Sequence, residues 1–143
     1  MKKNLLNKIK ITPLKIFNLS DGNVMHGLKK KESKKTWSFG EAYFSKIKYK
    51  KIKAWKYHKK MTLNFIVPYG KVKFIFYSPS GKKFKKVEIG EKKYSRLTVP
   101  PKVWFGFQGI SKKESIILNI ANIEHNKKEV IELEKNEINF NWS

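Results

Sequence analysis

Apolar and polar residues alternate with a period of two along most of this chain, the pattern of strands that bury one face. Residues 43–49 place Ile47 and Tyr49 on one face. Residues 52–58 place Trp55 and Tyr57 on one face, against Ile52, Ala54, Lys56 and His58 on the other. An apolar run at 61–67 ends in Pro68-Tyr69-Gly70, a turn signal, and 71–77 sets Val72, Phe74 and Phe76 on one face. Ser78-Pro79-Ser80-Gly81 punctuates the chain again, and strands are predicted over 82–89, 94–99, 103–107 and 115–121, with Pro100-Pro101 between two of them. Only 124–135 has room for a short helix. Short strands at close spacing with turns between them predict an all-β sandwich or barrel. A chain of 143 residues is the size of one domain with a real core.

One strand stands out for its chemistry. In a regular strand Lys56 and His58 point the same way, beside the small Ala54. A titratable pair over a small residue could line a pocket. Histidine has an ordinary pKa of about 6.5 and serves readily as a general base. Lys56 could hold an anion as a cation or, if desolvated, act as a base itself. Tyr43 and Tyr49 are candidate proton donors, whereas Tyr57 points away and reads as packing.

Composition narrows the field. The formal charge is +22, yet every one of the 33 basic residues except Arg96 is lysine. Proteins that read nucleic acid favour arginine, whose planar fork grips phosphate and guanine, so the charge argues against that partner. Segment 46–60 holds eight lysines and no acid. It reads as a solvated basic surface or as the approach to an anionic small molecule. With no cysteine, disulfides, thiolate catalysis and cysteine-based zinc sites are excluded, and a cytoplasmic setting fits. There is no run of about 18 apolar residues that would span a membrane, and the N-terminus does not read as a signal peptide.

Several segments together resemble a known family. The spacing from Lys56 and His58 to Gly70 is similar to the first motif of a cupin barrel, and Pro100-Pro101-Lys102-Val103-Trp104-Phe105 to its second. The usual metal ligands are replaced: the first histidine by Lys56, the carboxylate by Thr62 or Leu63, the last histidine by Phe105. His26 and His125 are isolated in sequence, so no metal and no cofactor are expected. A barrel frame without metal resembles the nucleotide-sugar branch of the cupins, namely the dTDP-4-dehydrorhamnose 3,5-epimerase family and the dTDP-4-keto-6-deoxyhexose 3,4-ketoisomerases. Residues 39–58 carry the likeness through Glu41, Tyr43, Ser45 and Lys53, residues 97–107 through Pro100, Gly106 and Phe107, and residues 137–142 through the closing Trp142.

The resemblance implies a single cupin-type jelly-roll domain over 1–143, with the barrel at 20–142 and residues 1–19 as an N-terminal strand that a homodimer could exchange. It implies a metal-independent epimerase or isomerase that removes a proton beside the ketone of a dTDP-linked 4-keto-6-deoxy sugar, in surface polysaccharide biosynthesis. The family's catalytic His falls on Lys56, its Lys near Leu63 and its Tyr near Asn119. The expected catalytic set is therefore His58, Lys56 and Tyr43. Glu41, Lys53, Asn64, Arg96, Trp104 and Asn119 are expected to bind the nucleotide sugar, with Lys53 and Arg96 on the diphosphate. A non-catalytic nucleotide-sugar-binding cupin and a basic nucleic-acid-binding barrel are the alternatives.

Overall fold

The computed structural model describes residues 4–34 and 37–143. Twelve strands form: β1 Lys10–Pro13, β2 Ile16–Leu19, β3 Gly22–Met25, β4 Glu41–Ile47, β5 Ile52–His58 and β6 Leu63–Tyr69. They continue as β7 Lys71–Ser78, β8 Lys83–Gly90, β9 Ser95–Val99, β10 Trp104–Gly109, β11 Ser115–Ala121 and β12 Val130–Glu132. One sheet has the order β1-β9-β6-β11-β4 and the other β12-β5-β10-β7-β8, while β2 and β3 make a separate hairpin. From β4 to β11 successive strands change sheets, except across the β7–β8 hairpin, and every pairing is antiparallel. This is the jelly roll the sequence predicts. The segment with room for a helix, 124–135, holds a loop and β12 instead, because its apolar Val130 and Ile131 pair along β5.

Gly70 makes the sheet change from β6 to β7. Its φ of +85° suits glycine, and a Cβ there would collide with Ser115. Ser115 fills that place and bonds the backbone N–H and C=O of Lys71, each at 3.1 Å. The core between the sheets is aromatic. Phe65 lies 5.0 Å from Phe74 and 5.6 Å from Phe105 between ring centroids, and Val72, Phe74, Phe76, Ile89 and Leu97 are fully buried. Leu6 and Ile9 of the N-terminal segment join this core, and β1 pairs with β9 of the same chain. A second cluster covers the outer face of the other sheet, where Ile138, Phe140 and Trp142 of the C-terminal segment pack on Trp55 and Ile75. The Trp55 indole N–H donates to the Lys135 carbonyl at 3.1 Å, and Lys73 donates to the Trp142 carbonyl at 3.1 Å.

One irregularity decides what faces inward. Along β5 the partners on β10 step from Lys56 opposite Phe105 to Ala54 opposite Gly106, so Trp55 has no counterpart. This is a β-bulge, which reverses the alternation on one side of itself. Ala54 therefore joins Trp55 in the outer cluster and only edges the interior, whereas Lys53 turns inward beside Lys56 and His58. The sequence pattern, read as a regular strand, put Ala54 with that pair and Lys53 opposite it. Gly106 makes the bulge possible, since a Cβ on it would stand 2.5 Å from the Ala54 Cβ. We expect Gly106→Ala to cost about 1–3 kcal/mol of stability in urea unfolding, as overpacking does. Ala54→Gly in the same chain should return at least half of that. No recovery would mean that the bulge does not depend on this contact.

Candidate active site

The two sheets are filled unequally. The half between β7, β8 and β9 is packed with apolar side chains, whereas the half between β4 and β11 on one side and β5, β10 and β12 on the other encloses a cavity of about 510 Å³. Alternation explains its lining. Glu41, Tyr43 and Ser45 are the inward residues of β4, and Asn119 is an inward residue of β11. Lys53, Lys56 and His58 face them from β5, and Phe105 and Phe107 form the apolar floor from β10.

His58 is the most constrained titratable group here. It is 7% exposed, and its Nδ1 is bonded to the Glu129 carboxylate, itself 5% exposed. Glu129 comes from the loop before β12, and its other oxygen accepts the backbone N–H groups of Lys60 at 3.1 Å and Met61 at 3.2 Å. Burial alone would raise this carboxyl, but the His58 ring and the two N–H groups outweigh it and hold its pKa below the usual value. A carboxylate on Nδ1 fixes the ring and its tautomer and leaves Nε2 as the nitrogen free to exchange a proton. The ring lies nearly parallel to Phe105, 14° between planes with centroids 6.0 Å apart. Phe105 is thus an apolar wall against the His58 ring.

Lys56 reaches the cavity mouth and pairs with Glu132 of β12 at 3.7 Å, both side chains more than half exposed. Its ammonium stands where it can meet an anion at the cavity mouth. Lys53 also lines the cavity, with Nζ 3.4 Å from the Lys46 carbonyl. Asn119 is 2% exposed and donates from Nδ2 to the Tyr43 hydroxyl at 3.0 Å.

Three expected binding residues lie elsewhere. Arg96 points out of the sandwich, where it donates to the Gly27 carbonyl at 2.7 Å and pairs with Glu32 at 3.2 Å, holding residues 26–34 against β9. The charge that suited a diphosphate is spent on a structural ion pair. Asn64 also faces outward, because β6 turns Leu63 and Phe65 to the core; it donates to the Ile120 carbonyl at 3.3 Å and accepts from Thr98 at 2.7 Å. Trp104 is on the outer face of β10, 5.1 Å from Tyr57, one residue out of phase with Phe105. Tyr49 is not among the residues of the cavity. Conversely, Glu129, Glu132 and His125 were missed as site residues. Glu129 is 71 residues from His58, in a segment whose pattern carries no pairing signal. Among the described residues no three metal-ligating side chains are gathered together.

A dTDP-sugar isomerase from Desulfovibrio desulfuricans G20 superposes on the chain with a TM-score of 0.86 at 30% identity, over 94% of this chain and 90% of that one. The chain belongs to the dTDP-sugar isomerase family. Two more distant members of the same fold superpose well. A dTDP-6-deoxy-D-glucose-3,5-epimerase from Legionella pneumophila, in complex with dTDP-4-keto-L-rhamnose, has a TM-score of 0.79 at 15% identity over 90% of this chain and 74% of its own. The sugar 3,4-ketoisomerase QdtA from Thermoanaerobacterium thermosaccharolyticum, in complex with TDP, has a TM-score of 0.76 at 17% identity over 93% of each chain. No protein-family model and no curated protein sequence matches the chain.

In this isomerase-family chain the lowered Glu129 pKa carries a pH signature. A carboxyl with a folded pKa below its unfolded value stabilises fully above the unfolded pKa, about 4.5, and loses that contribution as pH falls through the folded one. Below about pH 5 the excess of the native protein's melting temperature over that of Glu129→Gln should therefore shrink as the carboxyl takes up its proton. A margin that keeps growing below that pH would contradict the pairing.

Proposed function

We propose that this protein is an epimerase or isomerase of a dTDP-linked 4-keto-6-deoxy sugar, with His58 as the base that moves a proton beside the ketone. The observation that carries the proposal is the buried His58–Glu129 pair facing a sugar-sized cavity in a chain of the dTDP-sugar isomerase family. His58 Nε2 takes the proton from the carbon next to the carbonyl, and the electron pair of that C–H bond moves into the enolate. The carbonyl oxygen becomes the enolate oxygen, whose charge the half-exposed Lys56 cation and the Tyr43 hydroxyl can meet. Glu129 stabilises the imidazolium formed meanwhile.

His58 and Tyr43 stand on opposite walls, one on β5 and the other on β4. Proton return from the Tyr43 side inverts the carbon, whereas return from the imidazolium to the former carbonyl carbon, as the adjacent hydroxyl passes its proton to the enolate oxygen, shifts the ketone. Lys53 and Glu41 remain on the cavity wall for the nucleotide half, Lys53 for its diphosphate. The reading extends to a homodimer, supported by apolar residues left exposed, with Phe44 69% and Leu19 64% exposed. It also extends to a cytoplasmic role in supplying sugars for surface polysaccharide.

The test is incubation with a dTDP-4-keto-6-deoxyhexose in D₂O, following deuterium at the carbons that flank the ketone by NMR. The native protein should exchange at least one of them. His58→Asn should slow exchange by roughly 10³-fold or more, the scale of a lost general base. Background exchange with several such sugars would refute the enzyme reading, and full activity in His58→Asn would refute the base.

A further inference from the structure

The Tyr43 hydroxyl belongs to a side chain that is 46% exposed, on β4, the edge strand of its sheet. An exposed aromatic residue on an edge strand has rotamer freedom, and a proton donor needs one position. Asn119 supplies the constraint. It lies directly opposite Tyr43 in the β4–β11 register, on the same inward face. Phe65 is its partner on the other side. A wholly buried amide in this row is costly unless it bonds to something, and the Tyr43 hydroxyl is what its Nδ2 bonds to. The direction of the bond matters. Because the amide N–H donates and the phenolic oxygen accepts, the phenol keeps its own hydrogen for another partner. The Asn119 Oδ1 is buried with no hydrogen-bond partner among the described residues, so it does not take that hydrogen.

We infer that Asn119 is a positioning residue for Tyr43: its amide N–H pins the phenolic oxygen at the cavity wall and leaves the phenol hydrogen free for the enolate or its carbon. This rests on the proposed function above and goes beyond it in naming what orients the acid. The proton leaves the Tyr43 oxygen for the enolate and the resulting phenolate is met by the same amide N–H, so nothing else is consumed. It is returned when the imidazolium or solvent reprotonates the phenolate.

The inference is tested by Asn119→Asp, which keeps the side-chain size but presents acceptors only, so that the phenol hydrogen is drawn to the carboxylate. With a dTDP-4-keto-6-deoxyhexose, kcat should fall roughly 10- to 100-fold while KM changes less than about two-fold, as when a transition-state donor is lost. In a Tyr43→Phe chain the same change should cost nothing further, whereas independent roles would multiply. Full kcat in Asn119→Asp, a loss confined to KM, or a multiplied loss in the double variant would each overturn the inference. If Asn119→Asp does not reach the native melting transition, Asn119→Ala carries the same comparison. Exchange that His58→Asn abolishes but Tyr43→Phe leaves intact overturns the tether alone. Absence of exchange in the native protein removes the proposed function, and the tether with it.

Discussion

The Glu129 carboxylate organises the site from a single buried position. One oxygen fixes the His58 ring, and the other accepts two backbone N–H groups at the start of the β5–β6 connection. It thereby ties β5, the turn after it and the loop before β12 into one wall. A buried carboxylate is tolerated only where it is well hydrogen-bonded, and here the bonds that make burial bearable also hold the His58 ring. Removing the partner would leave His58 in an apolar surround against Phe105 with no defined tautomer. The cavity wall and the chemistry share one constraint.

Around this wall the sandwich divides into a rigid half and a working half. Stacked phenylalanines and β-branched residues fill the space under β7 and β8, and they need no ligand to be satisfied. Under β4 and β11 the inward row is polar, and the space opens. A jelly roll permits this asymmetry because each strand alternates independently, so an inward row can change from apolar to polar without altering the pairing. The bulge at Trp55 adds a second device: it turns Lys53 inward and Ala54 outward beside Trp55, where the C-terminal segment packs. One local irregularity thus serves both the charge of the cavity and the cover on the outer face.

Legibility followed the range of the interaction. The strands with plain alternation, such as Val72-Phe74-Phe76 and the inward row of β11, were readable because period-two burial is a local property. Lys56, His58, Glu41 and Tyr43 share the cavity as the alternation implies, because Lys56 and His58 lie on the same side of the β5 bulge and β4 pairs without a register shift. Arg96, Asn64 and Trp104 misled because residue type signals what a side chain can bind and not which face it occupies. A single phase step in β6 or β10 sends the neighbour of a cavity residue to the outside. Glu129 carried no signal, since its loop has no periodicity and its partner is far away along the chain.

By itself, then, the sequence determined the all-β architecture, the turn at Gly70 and the strand that carries Lys56 and His58 together. These depend on alternation, turn chemistry and residue identity, which act between near neighbours. The tertiary structure alone decided that His58 is held by Glu129, that Tyr43 is held by Asn119, that Lys53 faces the cavity and that Arg96 does not. Each of these is a contact between segments brought together only when the sheets close, or a phase set by a bulge that no pairwise pattern records.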